Sequence, residues 1–405
     1  MMTQNKLADS AIHLMRSAKN RRTLKTHPRF NRTPLSLMVS TLLLAGSLSL
    51  VQSAHAQVSY EINGISGTSL VADPFTGTAN AVAPPSSTPS NNTVHLISGT
   101  VGGSVYGGGD DQGSSGTNSA HSNSNTVTIT AGTMVNIFGG AASSQNADAF
   151  ADSNTVTMNG GTASGHVWGG SVGSSYGNGL ATLNRVYING GSTVGGDVIG
   201  GIADPLSGGA NASQNIVGVA LTGSGAVGGE VIGGEASSSS TDVAIASSNN
   251  VTISTTGTAS VGGDVIGGLA SSAGSGGASA FSNTVNIDTV TVANVTGGWA
   301  QATSTADAFA QRNVLNITNA DTGAVTGGYA SSITNQVLAS ENTVTMTGGT
   351  ATVVKAGVAD SSATSMTVAA INNNLSLTGV SVLGDVTGGD ARGADLAGTE
   401  QMWSQ

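Results

Sequence analysis

Three carboxylates, Asp197, Glu230 and Asp264, each follow a Gly-Gly pair and each precede a Val-Ile-Gly-Gly run, so they occupy one position of a repeated motif. Stacked on successive turns about 5 Å apart, such charges repel unless they face water or share a cation such as Ca²⁺, which takes roughly six to eight oxygen ligands. The same position reads Ser104, Asn136, His166, Asp197, Glu230, Asp264 and Asn294 along the chain, a mixed polar column. A solvated face accounts for that mixture, and the Gly-Gly-x-Gly-x-Asp order of calcium-binding repeats is absent, so no metal site is assigned. Cleaving a polysaccharide would need clustered carboxylates with Arg or Lys on one face. Arg185 and Arg312 stand four units apart and Lys355 is isolated. His95, His121 and His166 fall at different repeat positions, no His-Glu-x-x-His occurs, and no Gly-x-Ser-x-Gly elbow stands at a strand-to-helix turn beside a His. No catalytic, cofactor-binding or metal-ligating residue is assigned, and the chain is not read as an enzyme. One column suggests binding instead: Tyr106, Phe138 and Trp168, continued by Ile199, Ile232 and Ile266. If Val105, Ile137, Val167 and Val198 point inward, these side chains face out, and stacked aromatics there would contact sugar rings or a partner. A covering loop, a neighbouring subunit or reversed parity would bury them instead. Trp299 and Tyr329, each directly after a Gly-Gly, form a second aromatic pair with the same ambiguity.

The element positioning these side chains is a repeat. The pattern Asn-x-[Val/Leu]-x-[Ile/Leu/Val/Met] is led by Asn92, Asn125, Asn154, Asn184, Asn215, Asn249, Asn283, Asn313, Asn342 and Asn373, at steps of 29 to 34 residues. Between successive Asn positions lies a Val-x-Gly-Gly corner, as at Val105–Gly108, Val167–Gly170, Val198–Gly201 and Val325–Gly328. Units of roughly 30 residues made of short β-prone runs bury their apolar faces only by stacking on neighbours, which is how solenoids are built.

Alternation with period two marks strands. Around Asn154 one parity holds Phe150, Asp152, Asn154, Val156 and Met158, which places the Asn toward the interior with the apolar residues behind it. A buried amide needs partners, and in a parallel stack the Asn of the next coil supplies them, forming a ladder along the axis. The alternative is an Asn that only starts each strand as a turn residue; both roles are structural. The Gly pairs read as corners where positive φ is free, and not as phosphate loops, which occur once, before a helix, and carry a Lys. Each unit divides into an Asn strand, a Gly-Val-x-Gly-Gly strand and an Ala/Ser-rich run such as 300–310, which predicts a triangular cross-section. About ten coils of ~31 residues, spaced about 4.8 Å, make a rod of roughly 48 Å.

Residues 1–56 hold eight Lys/Arg against one acid, Asp9, whereas 57–405 hold four basic residues against 21 acids, a formal charge of −17. A basic stretch from Lys19 to Arg32, an apolar run from Leu35 to Leu50 and Ala54-His55-Ala56 before Gln57 read as a Sec signal peptide; the apolar run is short against the roughly 20 residues of a membrane span. The strongly acidic remainder argues against nucleic acid and against anionic membrane surfaces. With no cysteine, neither disulfides nor thiolate metal sites are available. Pro84, Pro85 and Pro89 mark 57–90 as a linker or N-terminal cap; 91–390 are the repeats and 391–405 a short tail.

The basic leader, the absence of Cys, the Asn-Thr-Val-Thr-Ile/Met strands at 125–129, 154–158 and 342–346 and the Gly-Gly corners resemble the autotransporter passenger domains and related adhesin-like secreted proteins of Gram-negative bacteria. The resemblance covers 91–390. It implies an all-β, right-handed parallel β-helix exported through the periplasm and displayed at the cell surface or secreted, with no membrane insertion by the mature chain. It further implies adhesion through the lateral repeat surface, with host or neighbouring-cell surface ligands or glycans, or further copies of itself, as partners. Family members usually end in a membrane β-barrel, and no alternating ten-residue strands follow Gly389. The chain therefore reads as a truncated passenger or as a secreted protein without a barrel. A self-associating biofilm or matrix component shares the fold; a polysaccharide-degrading β-helix enzyme is the alternative from another class.

Overall fold

The computed structural model describes residues 59–62, 78–79, 90–112, 118–362 and 367–393, all within one compact unit spanning 57–405. Residues 1–56, on which the expectation of a signal peptide falls, and most of the 57–90 and 391–405 segments lie outside the described residues. The described chain is a parallel β-solenoid of about nine turns at ~31 residues per turn, with no helix among the described residues. Ten strands led by the repeated asparagines, from Thr93–Ser98 to Asn374–Thr378, stack in parallel, and the antiparallel strand Ser59–Ile62 closes the N-terminal edge of that sheet.

Each turn holds the three expected strands and one more. After the asparagine strand a two-residue strand forms a separate small sheet, from Thr78–Ala79 to Ser260–Val261. The Val-x-Gly-Gly strand follows, for example Val167–Ser174, and then the alanine strand, from Ala120–His121 to Val368–Ile371. Toward the C-terminus the short strand merges with the glycine strand, so that Asp321–Ser332 runs as one piece.

The asparagine ladder is present, and its interior members are fully engaged. Asn184 Oδ1 accepts both the backbone N–H and the Nδ2 of Asn154, each at 3.0 Å. Its own Nδ2 donates to Ala151 O at 2.8 Å and to Asn215 Oδ1 at 3.2 Å. The same four bonds recur at Asn215, Asn249, Asn283, Asn313 and Asn342. A primary amide offers two donor hydrogens and one oxygen with two lone pairs, so every capacity is used and the group tolerates complete burial.

The ladder explains the glycine pairs, and differently from the sequence expectation. These glycines are not at positive φ; most, such as Gly169 and Gly170, are strand residues, and Gly107, Gly108, Gly233 and Gly234 link two short strands of the same sheet. A Cβ on Gly170 would lie 2.5 Å from Asn184 Nδ2, and one on Gly169 would lie 2.9 Å from Asn184 Cβ and also strike Gly200 O. Glycine is required because the amide column occupies the space a side chain would take. The left-handed backbone belongs instead to the residue before each ladder asparagine: Asn91, Ser124, Ser153, Leu183, Gln214, Ser248, Ser282, Arg312, Glu341 and Asn372, all at φ of 55–60° and none a glycine.

That left-handed residue also resets side-chain parity. Reading period two backward from Asn154 places Phe150 inside, but Ser153 breaks the alternation, so Ala149 and Ala151 are the fully buried residues and Phe150 is half-buried on the outside. Two cores result. Val, Ile, Leu and Met from the asparagine, short and glycine strands fill the first. The second, between the far half of the glycine strand and the alanine strand, is almost entirely alanine. The interior is therefore divided into two cores with a waist between them where the amide meets the glycine pair.

Candidate functional surface

The polar column of Asp197, Glu230 and Asp264 turns out to be a second ladder, on the outside. Asn136 Oδ1 accepts the N–H of His166 at 2.8 Å, His166 Nδ1 accepts that of Asp197 at 2.9 Å, and Asp197 Oδ1 accepts that of Glu230 at 2.8 Å. Asp264 Oδ1 takes Asn294 N–H at 3.0 Å and Asn294 Oδ1 takes Ala324 N–H at 2.9 Å. Short side chains thus cap the amide one coil on. The link breaks between Glu230 and Asp264, where the extra methylene of glutamate displaces the carboxylate from that position.

These bonds set the local electrostatics. Burial alone pushes the Asp197 carboxyl up, but the adjoining His166 ring and the Glu230 N–H hold it below its ordinary value. Glu230 is raised, by burial first and then by Asp197 and Asp264. Across the waist, burial pushes Glu235 up to about 7, with Asp204, Glu230 and Asp197 adding repulsion. Burial also raises Asp204, opposed by a hydrogen bond from Ser237. Among the described residues no group of three or more His, Asp or Glu side chains is arranged to hold a metal ion.

Lys355 is not isolated: it and Arg392 both engage Asp390, the latter at 2.6 Å, whereas Arg312 lies apart, 6.0 Å over the Phe281 ring, and Arg185 is an exposed strand residue.

Tyr106, Phe138 and Trp168 are brought together as a column. Tyr106 and Phe138 stack at 4.6 Å with 6° between planes, Phe138 meets Trp168 edge-on at 4.6 Å, and His166 stacks on Trp168 at 5.4 Å. They do not offer the open apolar stripe that the sequence suggested: Phe138 and Trp168 are each only 3 % exposed, and Tyr106 is partly covered. Six consecutive residues of each glycine strand, 137–142 and 167–172, are buried, so both faces of that strand are covered. The glycine pair separates the half of the strand that lines the first core, as at Val167, from the half that lines the alanine core, as at Val172. Trp299 and Tyr329, just past the glycine pair, meet edge-on at 5.1 Å and remain partly exposed.

A column absent from the sequence expectation lies on the outer face of the alanine sheet. His121, Phe150, Leu180, Asn211, Ile245, Ser279, Phe309 and Leu338 are in register on successive coils. His121 stacks on Phe150 at 4.7 Å, and the rest of the column is half-buried. The available signal was the alternation Ala-x-Ala in 149–151, 278–280 and 308–310, read with the small residues inward.

No family model matches this chain. No curated protein and no solved structure that was compared with it matches either.

Proposed function

We propose that this chain is an exported structural and adhesive protein of Gram-negative bacteria, of the autotransporter-passenger type, which works by binding along its lateral surface. The observation that carries this reading is the uninterrupted amide ladder. It commits the interior to holding coils in register and leaves function to outward positions repeated on every coil. The outward alanine-sheet column of aromatic and aliphatic residues is one such array, half-buried and in register from coil to coil, and a repeated lateral surface of this kind favours recognition over turnover. The basic leader and the acidic, cysteine-free remainder support export through the Sec route.

Export is tested by expressing the full chain in a Gram-negative host, fractionating the cells and sequencing the N-terminus of the recovered protein. The proposal expects the chain outside the cytoplasm and starting at Gln57; an intact Met1 terminus in the cytoplasm overturns it.

A further inference from the structure

Along the outer column of the alanine sheet small side chains occur at Ser279 and, at the C-terminal end, at Ala369; Ser279 stands between two large ones, Ile245 and Phe309, its register partners on either side. A small residue flanked by two large ones leaves a notch, and with coils about 4.8 Å apart its walls stand about 10 Å from each other. The loops entering these strands raise a rim around it, and the result is a cleft of about 350 Å³. Its floor and walls are apolar, with Val243, Ile245 and the Phe309 ring; Val243 is 44 % exposed. Its rim is polar, with Ser275, Thr305, Asp307 and Asn335.

The rim groups are held in place yet keep capacity for a ligand. Asp307 Oδ1 accepts the Gln336 N–H at 3.1 Å, which fixes the carboxylate, and no further hydrogen bond engages its second oxygen among the described residues. Asn335 Nδ2 donates to Thr305 O at 3.0 Å, and its backbone N–H donates to Ser332 Oγ at 3.3 Å, which fixes the amide with its oxygen unengaged. The Ser275 and Ser279 hydroxyls engage nothing else among the described residues. A fixed carboxylate, a fixed amide oxygen and free hydroxyls around an aromatic face match one ligand chemistry. The ligand carries an apolar C–H face on a flat ring and several hydroxyl donors at its edge.

We infer that this cleft binds a neutral sugar ring of a glycan, with one pyranose packed on Phe309 above Ser279 and its hydroxyls donating to Asp307 and Asn335. The cleft lies at the small end of the volumes typical of ligand sites, which suits one or two rings and not a folded partner. The net negative charge of 57–405 and the carboxylate at the rim select against acidic sugars. This inference rests on the lateral-binding reading and gives it a ligand class.

The test is a titration of purified residues 57–405 with neutral hexose and N-acetylhexosamine oligosaccharides, read by saturation-transfer NMR and calorimetry, beside an assay of adherence to intact cells. Phe309→Ala and Asp307→Asn should each weaken sugar binding by about tenfold or more, the loss of one good contact. Asp307→Asn can keep the bond to Gln336, so it serves if Phe309→Ala misfolds. Ile97→Ala, at an exposed position of the asparagine strand and outside both the cleft and this column, should bind sugar as the unaltered chain does. Equal sugar binding by both cleft variants, or no binding of any neutral oligosaccharide by the unaltered chain, overturns the assignment. Adherence that persists without sugar binding leaves the lateral-binding reading standing and removes only the glycan site. Absence of adherence with sugar binding intact removes the cell-surface role instead.

Discussion

Replacing Asn184 with Ala should be among the most destabilising single changes in the chain. The substitution removes the acceptor of Asn154 N–H and of one Asn154 Nδ2 hydrogen, and the donor to Ala151 O. Asn215 Oδ1 keeps the backbone N–H of residue 184, so three buried groups are stranded. At about 1–3 kcal/mol for each stranded group the loss is about 3–9 kcal/mol, a large part of the 5–15 kcal/mol that usually separates folded from unfolded. Because the glycines opposite offer no side chain to fill the gap, the site has little means to collapse. Asn123 provides the comparison: it is half-buried, and its side chain accepts one bond, from Asp152 N–H at 2.9 Å. Asn123→Ala should lose only about 1 kcal/mol. Guanidinium melts followed by circular dichroism would give the totals, and amide hydrogen exchange would locate the opening at the coils of Asn154 and Asn215. Small and equal effects at both positions would show that the ladder bonds, although present, do not hold the coils together.

Gly170→Ala should destabilise by several kcal/mol, because its Cβ would fall 2.5 Å from Asn184 Nδ2, whereas Gly173→Ala, with nothing within 4 Å, should be close to neutral in the same melts. Leu183→Asn should stabilise by about 1 kcal/mol, since Leu183 holds a φ of 59° that asparagine accepts more readily; a lower melting midpoint would contradict this. For Glu235, the folded pKa of about 7 lies above the ordinary 4.5, so ionisation opposes folding: the penalty is absent below about pH 4.5 and grows to about 3 kcal/mol above pH 7. Glu235→Gln should therefore stabilise at pH 8 and lose that advantage by pH 4.5, and a gain independent of pH would refute the assignment.

How far the sequence reached can be read from particular residues. The asparagines and Val-x-Gly-Gly runs recur in phase, and both markers are imposed by contacts between identical positions of adjacent coils, so the period, the strands and the amide ladder were legible. The reason for the glycines was not: Gly169 and Gly170 are needed because of Asn184, fourteen or fifteen residues away, which local turn chemistry does not reveal. Parity across Ser153 was misread for a related reason, since a serine, leucine, glutamine or arginine does not advertise a left-handed backbone. That error hid Phe150 and Phe309 on the outer column. The burial of Phe138 and Trp168 was not legible either, because alternation along one strand does not tell what covers its outer face.

The function we propose is binding and not chemistry. Purified residues 57–405 incubated with intact cells and with their isolated surface polysaccharide would test both halves in one measurement, by co-sedimentation of the protein and assay of released reducing ends and unsaturated sugars. The account predicts protein in the pellet and polysaccharide of unchanged length. Released oligosaccharides, or protein that stays wholly in the supernatant, would contradict it.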